Sequence, residues 1–334
     1  MSLDENFQKD ISSNSEKELN NENRFYNPGV YNLDEEYKKY SLLLQKGEID
    51  KKLFFKLGRI NHFRGNLDEA FKYYNKALEL DPDYGEVHYN LGNIYFEQGK
   101  LDKGQEHFLK AIEANSSDIY ALNALGKTCF RLKKFIEAAK YHSMALEKNP
   151  EDVYALRGLG NIWLVKKNFG EALNYYHKAL DVNSSDRISR YNIGLVYLFS
   201  GKAELGEKHY REAIDTYKYF SPFYFGLGLC YYRQGKEKDG FEEFKTGLTL
   251  FQKSDYISSN RVYEKSAETD FAFKDRLDDE EWNDLASDYH FCKGNAYYSI
   301  NNLAKSIEEL VKALDFKPGF SSAHSLLGKL YFKR

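Results

Sequence analysis

Proline is scarce, five in 334 residues, and no stretch keeps a period-two alternation of apolar and polar residues for long. Together these exclude extensive sheet and favour long helices. Cysteine is sparse too: Cys129, Cys230 and Cys292 are too few for a disulfide framework, and none stands in a CxxC pair. No run of ~18 apolar residues exists, so no transmembrane segment is expected. The start, Met1-Ser2-Leu3-Asp4-Glu5-Asn6, lacks the basic and apolar stretches of a signal peptide, and the expected compartment is the cytoplasm. A basic excess is missing as well. The formal net charge is −3, the wrong sign for non-specific nucleic-acid binding.

What is present is repetition. A Leu/Ile-Gly pair recurs every 34 residues at Leu57-Gly58, Leu91-Gly92, Leu125-Gly126, Leu159-Gly160, Ile193-Gly194 and Leu227-Gly228, and the step returns between Lys293-Gly294 and Leu327-Gly328. Twelve residues past each glycine stands a small residue (Ala70, Gly104, Ala138, Ala172, Gly206, Gly240, Ser306), and nineteen past it another (Ala77, Ala111, Ala145, Ala179, Ala213, Gly247, Ala313). A large residue lies three past the glycine in most units, as at Tyr95, Trp163, Tyr197, Tyr231 and Tyr297. Small residues at fixed steps let two helix axes approach closely, while large ones fill the space between them. Pro82, Pro150 and Pro318 close three units. Elsewhere Asn115-Ser116-Ser117-Asp118 and Asn183-Ser184-Ser185-Asp186 offer N-cap side chains. Gly65-Asn66, Gly99-Lys100 and Gly201-Lys202 mark the turn inside a unit.

This order of Leu-Gly, aromatic, small, aromatic, small and Pro resembles the tetratricopeptide repeat family. Pentatricopeptide repeats share a nearby period but lack the Leu-Gly and Pro combination. The resemblance implies an all-α fold, a right-handed superhelical solenoid of antiparallel helix pairs. On this reading 1–30 is a disordered polar N-terminus, 31–50 an N-terminal capping helix and 51–254 six repeat units. An acidic insertion at 255–286 runs into an extended helix, and 287–334 holds one further unit and a C-terminal capping helix. Charge is distributed unevenly over this plan: 1–50 carries −5, 255–286 carries −6, and the remaining residues +8.

No chemistry-bearing motif stands out. There is no HExxH, no GxxxxGK[ST] and no GxSxG. Gly158-Leu159-Gly160 and Gly226-Leu227-Gly228 are repeat glycines with no strand before them. His88, His290 and His324 lie four before a repeat glycine and His62 four after one, while His107, His142, His177 and His209 sit in second helices near the packing aromatic. The expectation is a protein with no catalytic residue, no metal and no cofactor.

In the resembled family, first helices line a concave groove that holds extended peptides or partner helices. Its inward positions here give Arg59, Tyr89, Asn90, Asn93, Asn123, Lys127, Arg131, Arg157, Asn161, Tyr191, Asn192, Arg233 and Asn295. Asparagine can donate to and accept from a peptide backbone, and Tyr and Arg are frequent interface anchors. One family variant clamps a C-terminal carboxylate. Arg157, Asn161 and Asn192 match its first three positions, but Pro222 and Gly226 stand where it needs two bases, so no clamp is expected. The implied function is a protein-interaction scaffold for a peptide or protein with an acidic segment. The acidic insertion or N-terminus would compete with that segment for the groove. An RNA-binding helical repeat protein, or an accessory subunit of an enzyme or secretion complex, stays open as an alternative.

Overall fold

The computed structural model describes residues 33–254 and 280–332. Every regular element among them is a helix. In chain order these are α1 (Leu33–Gln45), α2 (Lys51–Phe63), α3 (Leu67–Leu80), α4 (Gly85–Glu97), α5 (Leu101–Ala114), α6 (Ile119–Arg131), α7 (Phe135–Lys148) and α8 (Val153–Val165). There follow α9 (Phe169–Val182), α10 (Arg187–Phe199), α11 (Ala203–Thr216), α12 (Ser221–Arg233), α13 (Glu237–Ser254), α14 (Glu280–Ser299), α15 (Leu303–Phe316) and α16 (Ser321–Phe332). They form two compact bodies, one ending at Ile162 and one beginning at Trp163, so the division falls inside α8. The acidic N-terminus and residues 255–279 of the insertion lie outside the described residues.

In the units α2–α3, α4–α5, α6–α7, α10–α11, α12–α13 and α14–α15 a first and a second helix pack together, and the second helices α3, α5, α9, α11, α13 and α15 each pack on the first helix that follows. What drives the pairing is visible at the repeat glycine. A Cβ added to Gly58 would stand 2.6 Å from the ring of Tyr74, one on Gly92 2.6 Å from Phe108, and one on Gly228 2.6 Å from Phe244. The same column, sixteen residues past the glycine, continues as His142, Tyr176, Tyr210 and Leu310, all buried. A ring pressed onto a bare helix backbone removes much apolar surface from water, about 25 cal/mol per Å². Any larger residue at the glycine would push the two helices apart.

The turn inside each unit needs a left-handed residue. Gly65, Gly99, Gly201 and Gly235 supply it, with φ between 71° and 78°. Where the repeat has no glycine, Lys133 (φ 60°), Lys167 (56°) and Asn301 (60°) adopt the same conformation, against the usual steric preference of a side chain. Repeat phase therefore overrides residue type at this turn. Between units, the Asp118 carboxylate accepts from the amides of Tyr120 and Ala121, and that of Asp186 from Ile188 and Ser189. These carboxylates cap α6 and α10.

α1 covers the open side of the first unit. Tyr37, Tyr40, Leu43 and Leu44 pack on the core around Leu57 and Tyr74. Arg64, just past α2, donates to the Leu33 carbonyl at 3.1 Å, pairs with Asp34 and lies 4.5 Å over the Tyr37 ring. α14 is twenty residues long, against thirteen for the other first helices that complete a unit.

One core ring carries a defect. The Tyr74 hydroxyl is buried without a hydrogen-bond partner, and burial drives its pKa well above the usual value. A buried unsatisfied hydroxyl costs about 1–3 kcal/mol. Tyr74→Phe should therefore leave stability unchanged or raise it by about 1 kcal/mol in urea unfolding followed by circular dichroism. A loss above ~1 kcal/mol would show that the hydroxyl is satisfied after all.

Candidate functional site

The repeat glycine presses one side of each first helix against its partner, which turns the residue one position on, 100° round, toward a different side. In the first body this position is Arg59 on α2, Asn93 on α4, Lys127 on α6 and Asn161 on α8, and all four are part-exposed. First helices also touch each other: α4 packs on α6 in the first body, and α10 on α12 and α12 on α14 in the second. In the second body they thus make a surface that runs from α10 to α14.

Bases on this surface are steadied by aromatic rings. Lys127 and Arg131 of α6 lie 5.6 Å and 5.2 Å over the ring of Phe96 on α4. Arg59 lies 5.5 Å over Phe55. A ring orients such a cation without cancelling its charge. Charge sorts with helix position from α2 to α13; the next first helix, α14, instead holds four acids, Glu280, Glu281, Asp284 and Asp288, and one base, Lys293. First helices α2, α4, α6, α8, α10 and α12 hold ten Lys/Arg and only two acids, Glu86 and Glu97, both at helix ends. Second helices α3, α5, α7, α9, α11 and α13 hold eighteen acids and twelve bases.

The remaining sequence-predicted residues divide into three groups. Tyr89, Asn90 and Asn295 are part-exposed; the Asn90 amide donates to the Glu86 carbonyl at 2.7 Å, and that of Asn295 to the Phe291 carbonyl at 3.2 Å. Arg157, Tyr191 and Asn192 are buried, at 7%, 4% and 2% exposure, so they offer no open contact surface. Two residues are engaged with their own chain. Arg233 makes an ion pair with Asp288 of α14 at 2.9 Å. Burial of Asp288 pushes its pKa up to about 6, against the pull of Arg233 and Lys317. Asn123 gives both ends of its amide to internal bonds: Nδ2 donates to Asp152 at 2.7 Å, and Oδ1 pairs with Nδ1 of His142 at 3.1 Å.

The histidines serve helix pairing. His88 and His107 face each other through Nδ1 at 3.0 Å, His209 donates to the Arg190 carbonyl at 2.8 Å, and His290 meets Glu309 at 2.7 Å. Each bond joins the first helix of a unit to its second. His142 is no neighbour of the packing aromatic: it occupies the aromatic's own place between Gly126 and Gly158. The three thiols are buried, and burial raises their pKa, that of Cys129 to about 11, so each stays a protonated, unreactive thiol near neutral pH. No helix among the described residues is long and apolar enough to cross a membrane.

Helix pairs on a 34-residue step, sealed by a ring over a glycine and presenting first helices as a surface, define a helical-repeat protein built for interaction. Family models agree. One for the TPR repeat matches 58–99 and 294–334, and tetratricopeptide repeat models match 85–118, 137–187, 166–219 and 191–255. The chain belongs to the tetratricopeptide repeat family. Among curated protein sequences no match is found. Among solved structures it is similar to a tetratricopeptide repeat protein from Parabacteroides merdae at 17% identity, covering 84% of this chain and 98% of that one with a TM-score of 0.57. Other similar structures are YrrB, a TPR protein with an unusual peptide-binding site (20% identity, 66% and 97% covered, TM-score 0.37), and pilF of Pseudomonas aeruginosa (13%, 73% and 97%, 0.46).

Proposed function

We propose that the chain is a non-catalytic scaffold whose first helices hold an extended acidic segment of a partner protein. The carrying observation is the sorting of charge. On the first helices α2, α4, α6, α8, α10 and α12 bases outnumber acids ten to two, whereas acids outnumber bases on the second helices and on α14. A chain with net charge −3 has no need of such sorting for solubility. Complementary charge on one surface speeds encounter and selects partners by sign.

The test separates local contact from overall charge. A glutamate-rich peptide is titrated against the full chain at low ionic strength by fluorescence anisotropy. Arg59, Lys127 and Arg131 are changed together to Gln in one variant, and the second-helix residues Lys72, Lys103 and Lys140 to Gln in another. Both lose three charges, so long-range attraction falls equally. The first set should weaken binding roughly tenfold and flatten its salt dependence, the second less than about twofold. Equal losses would mean that the peptide reads net charge alone, which contradicts the proposal.

A further inference from the structure

Most repeat glycines are covered. A Cβ on Gly58, Gly92, Gly126, Gly194, Gly228 or Gly294 would stand within 3 Å of the side chain sixteen residues further on. Gly328 on α16 differs: a Cβ there would meet nothing within 4 Å. α16 is seated as a first helix, with Ala323, Leu326, Leu327 and Leu330 buried in one core with Phe291 and Leu310. The side that the other first helices turn to their second helix stays bare. On α2 that side is made by Phe54, Phe55 and Asn61 beside Gly58, all buried. At the same places beside Gly328, α16 has His324, Ser325 and Tyr331, all exposed, and Phe332 follows. Tyr331 and Phe332 are 56% and 94% exposed, and no other aromatic ring among the described residues is more than half exposed.

We infer that α16 is a dimerisation helix: it pairs antiparallel with α16 of a second copy of this chain, the Phe332 ring of each lying on Gly328 of the other. The contacts inside the repeat units show what this face accepts. In each of the six covered units the bare glycine backbone takes a bulky side chain from the helix packed on it, and α16 continues that interface with its glycine still open. The same helix also carries the missing ring. Phe332 stands four residues past Gly328, one turn on and on the same side. In a two-fold pair residue i meets j and j meets i, so a helix bearing both glycine and ring on one side is complementary to itself. Pairing would take from water the two most exposed rings among the described residues, which favours association. Lys329, one residue past the glycine, falls at the rim of the pair beside its counterpart. Salt screens that repulsion, so it should tighten the dimer, the opposite of its effect on an acidic peptide. One twelve-residue helix on another covers less than a standard interface of ~1,200–2,000 Å², so half-association is expected at roughly tens of micromolar.

Sedimentation velocity of the full chain, from about 1 to 300 μM, tests this against that expected affinity. The weight-average mass should climb toward twice that of the monomer, and further at high salt than at low. Phe332→Ser should weaken association roughly tenfold, as loss of a central aromatic anchor does. Gly328→Leu should weaken it as much, because the new side chain takes the place of the ring. That variant stays folded: the position is open in the single chain, and leucine favours helix over glycine. Ile136→Ser, on α7 at an apolar residue 82% exposed, should leave association unchanged. A monomer across the whole range overturns the inference, as does a dimer that Phe332→Ser and Gly328→Leu leave intact. Equal weakening by Ile136→Ser would mean unselective apolar contact and overturn it too.

Discussion

Truncating Tyr210 to alanine should lower the stability of the second body by about 3–5 kcal/mol, the range for removing a fully buried aromatic ring. Tyr210 is 0% exposed. A Cβ on Gly194 would stand 2.2 Å from its ring, and one on Gly226 2.4 Å, so the ring fills the space between α10 and α12. Its hydroxyl donates to the Tyr191 carbonyl at 2.9 Å. Neither glycine can grow to fill the hole, and the helices cannot collapse without losing the register that aligns the next unit. Tyr210→Phe keeps the ring and loses one hydrogen bond, at about 1 kcal/mol. Urea unfolding monitored by circular dichroism gives both values. A loss under ~1 kcal/mol for the alanine variant would show that the ring does not hold these helices together.

Acid should destabilise the first body through His142, and His142→Phe should remove most of that sensitivity. The ring is fully buried, and burial, with the nearby charges of Arg157 and Lys127, holds its pKa down at about 4 against an ordinary 6.5. As pH falls, the unfolded chain takes up the proton first, so the folded state loses ground. The contribution is complete above pH ~6.5 and is lost as pH falls through 6.5 toward 4, for a total of about 3 kcal/mol and about 2 kcal/mol by pH 5. Phenylalanine fits the place, since Phe108 and Phe244 fill it in other units, though Asn123 then lacks one partner. Unfolding midpoints at pH 7.5 and pH 5 test this: the wild-type chain should drop further than the variant. His107, also held down at about 4 by burial and by His88, titrates in both proteins and sets the residual slope. Parallel drops would place the sensitivity elsewhere.

Much of this architecture is legible in the residues. The Leu-Gly step and its trailing small residues locate every helix pair from α2 to α13, because close helix approach demands small residues at fixed offsets. Asp118 and Asp186 declare their caps by residue type. Lys133 and Lys167 do not: nothing about lysine signals a left-handed turn, and only their phase, 34 and 68 residues after Gly99, marks them. The sixteenth position past the glycine mixes Tyr, Phe, His and Leu, so the packing column and the place of His142 in it emerge from geometry. At the surface, helical register tells which side Arg59, Asn93, Lys127 and Asn161 share. It does not tell how deeply neighbours close over Arg157, Tyr191 and Asn192, nor that Asp288, beyond the insertion, comes back to Arg233.

The central claim is that first helices, and not second, meet the partner. Lysine footprinting with an acylating reagent tests it most directly, on the full chain with and without a saturating glutamate-rich peptide. The account predicts slower acylation of Lys127 on α6 when peptide is bound, with Lys72, Lys103 and Lys140 on α3, α5 and α7 unchanged. Protection confined to those second-helix lysines, or spread evenly over both sets, would contradict it.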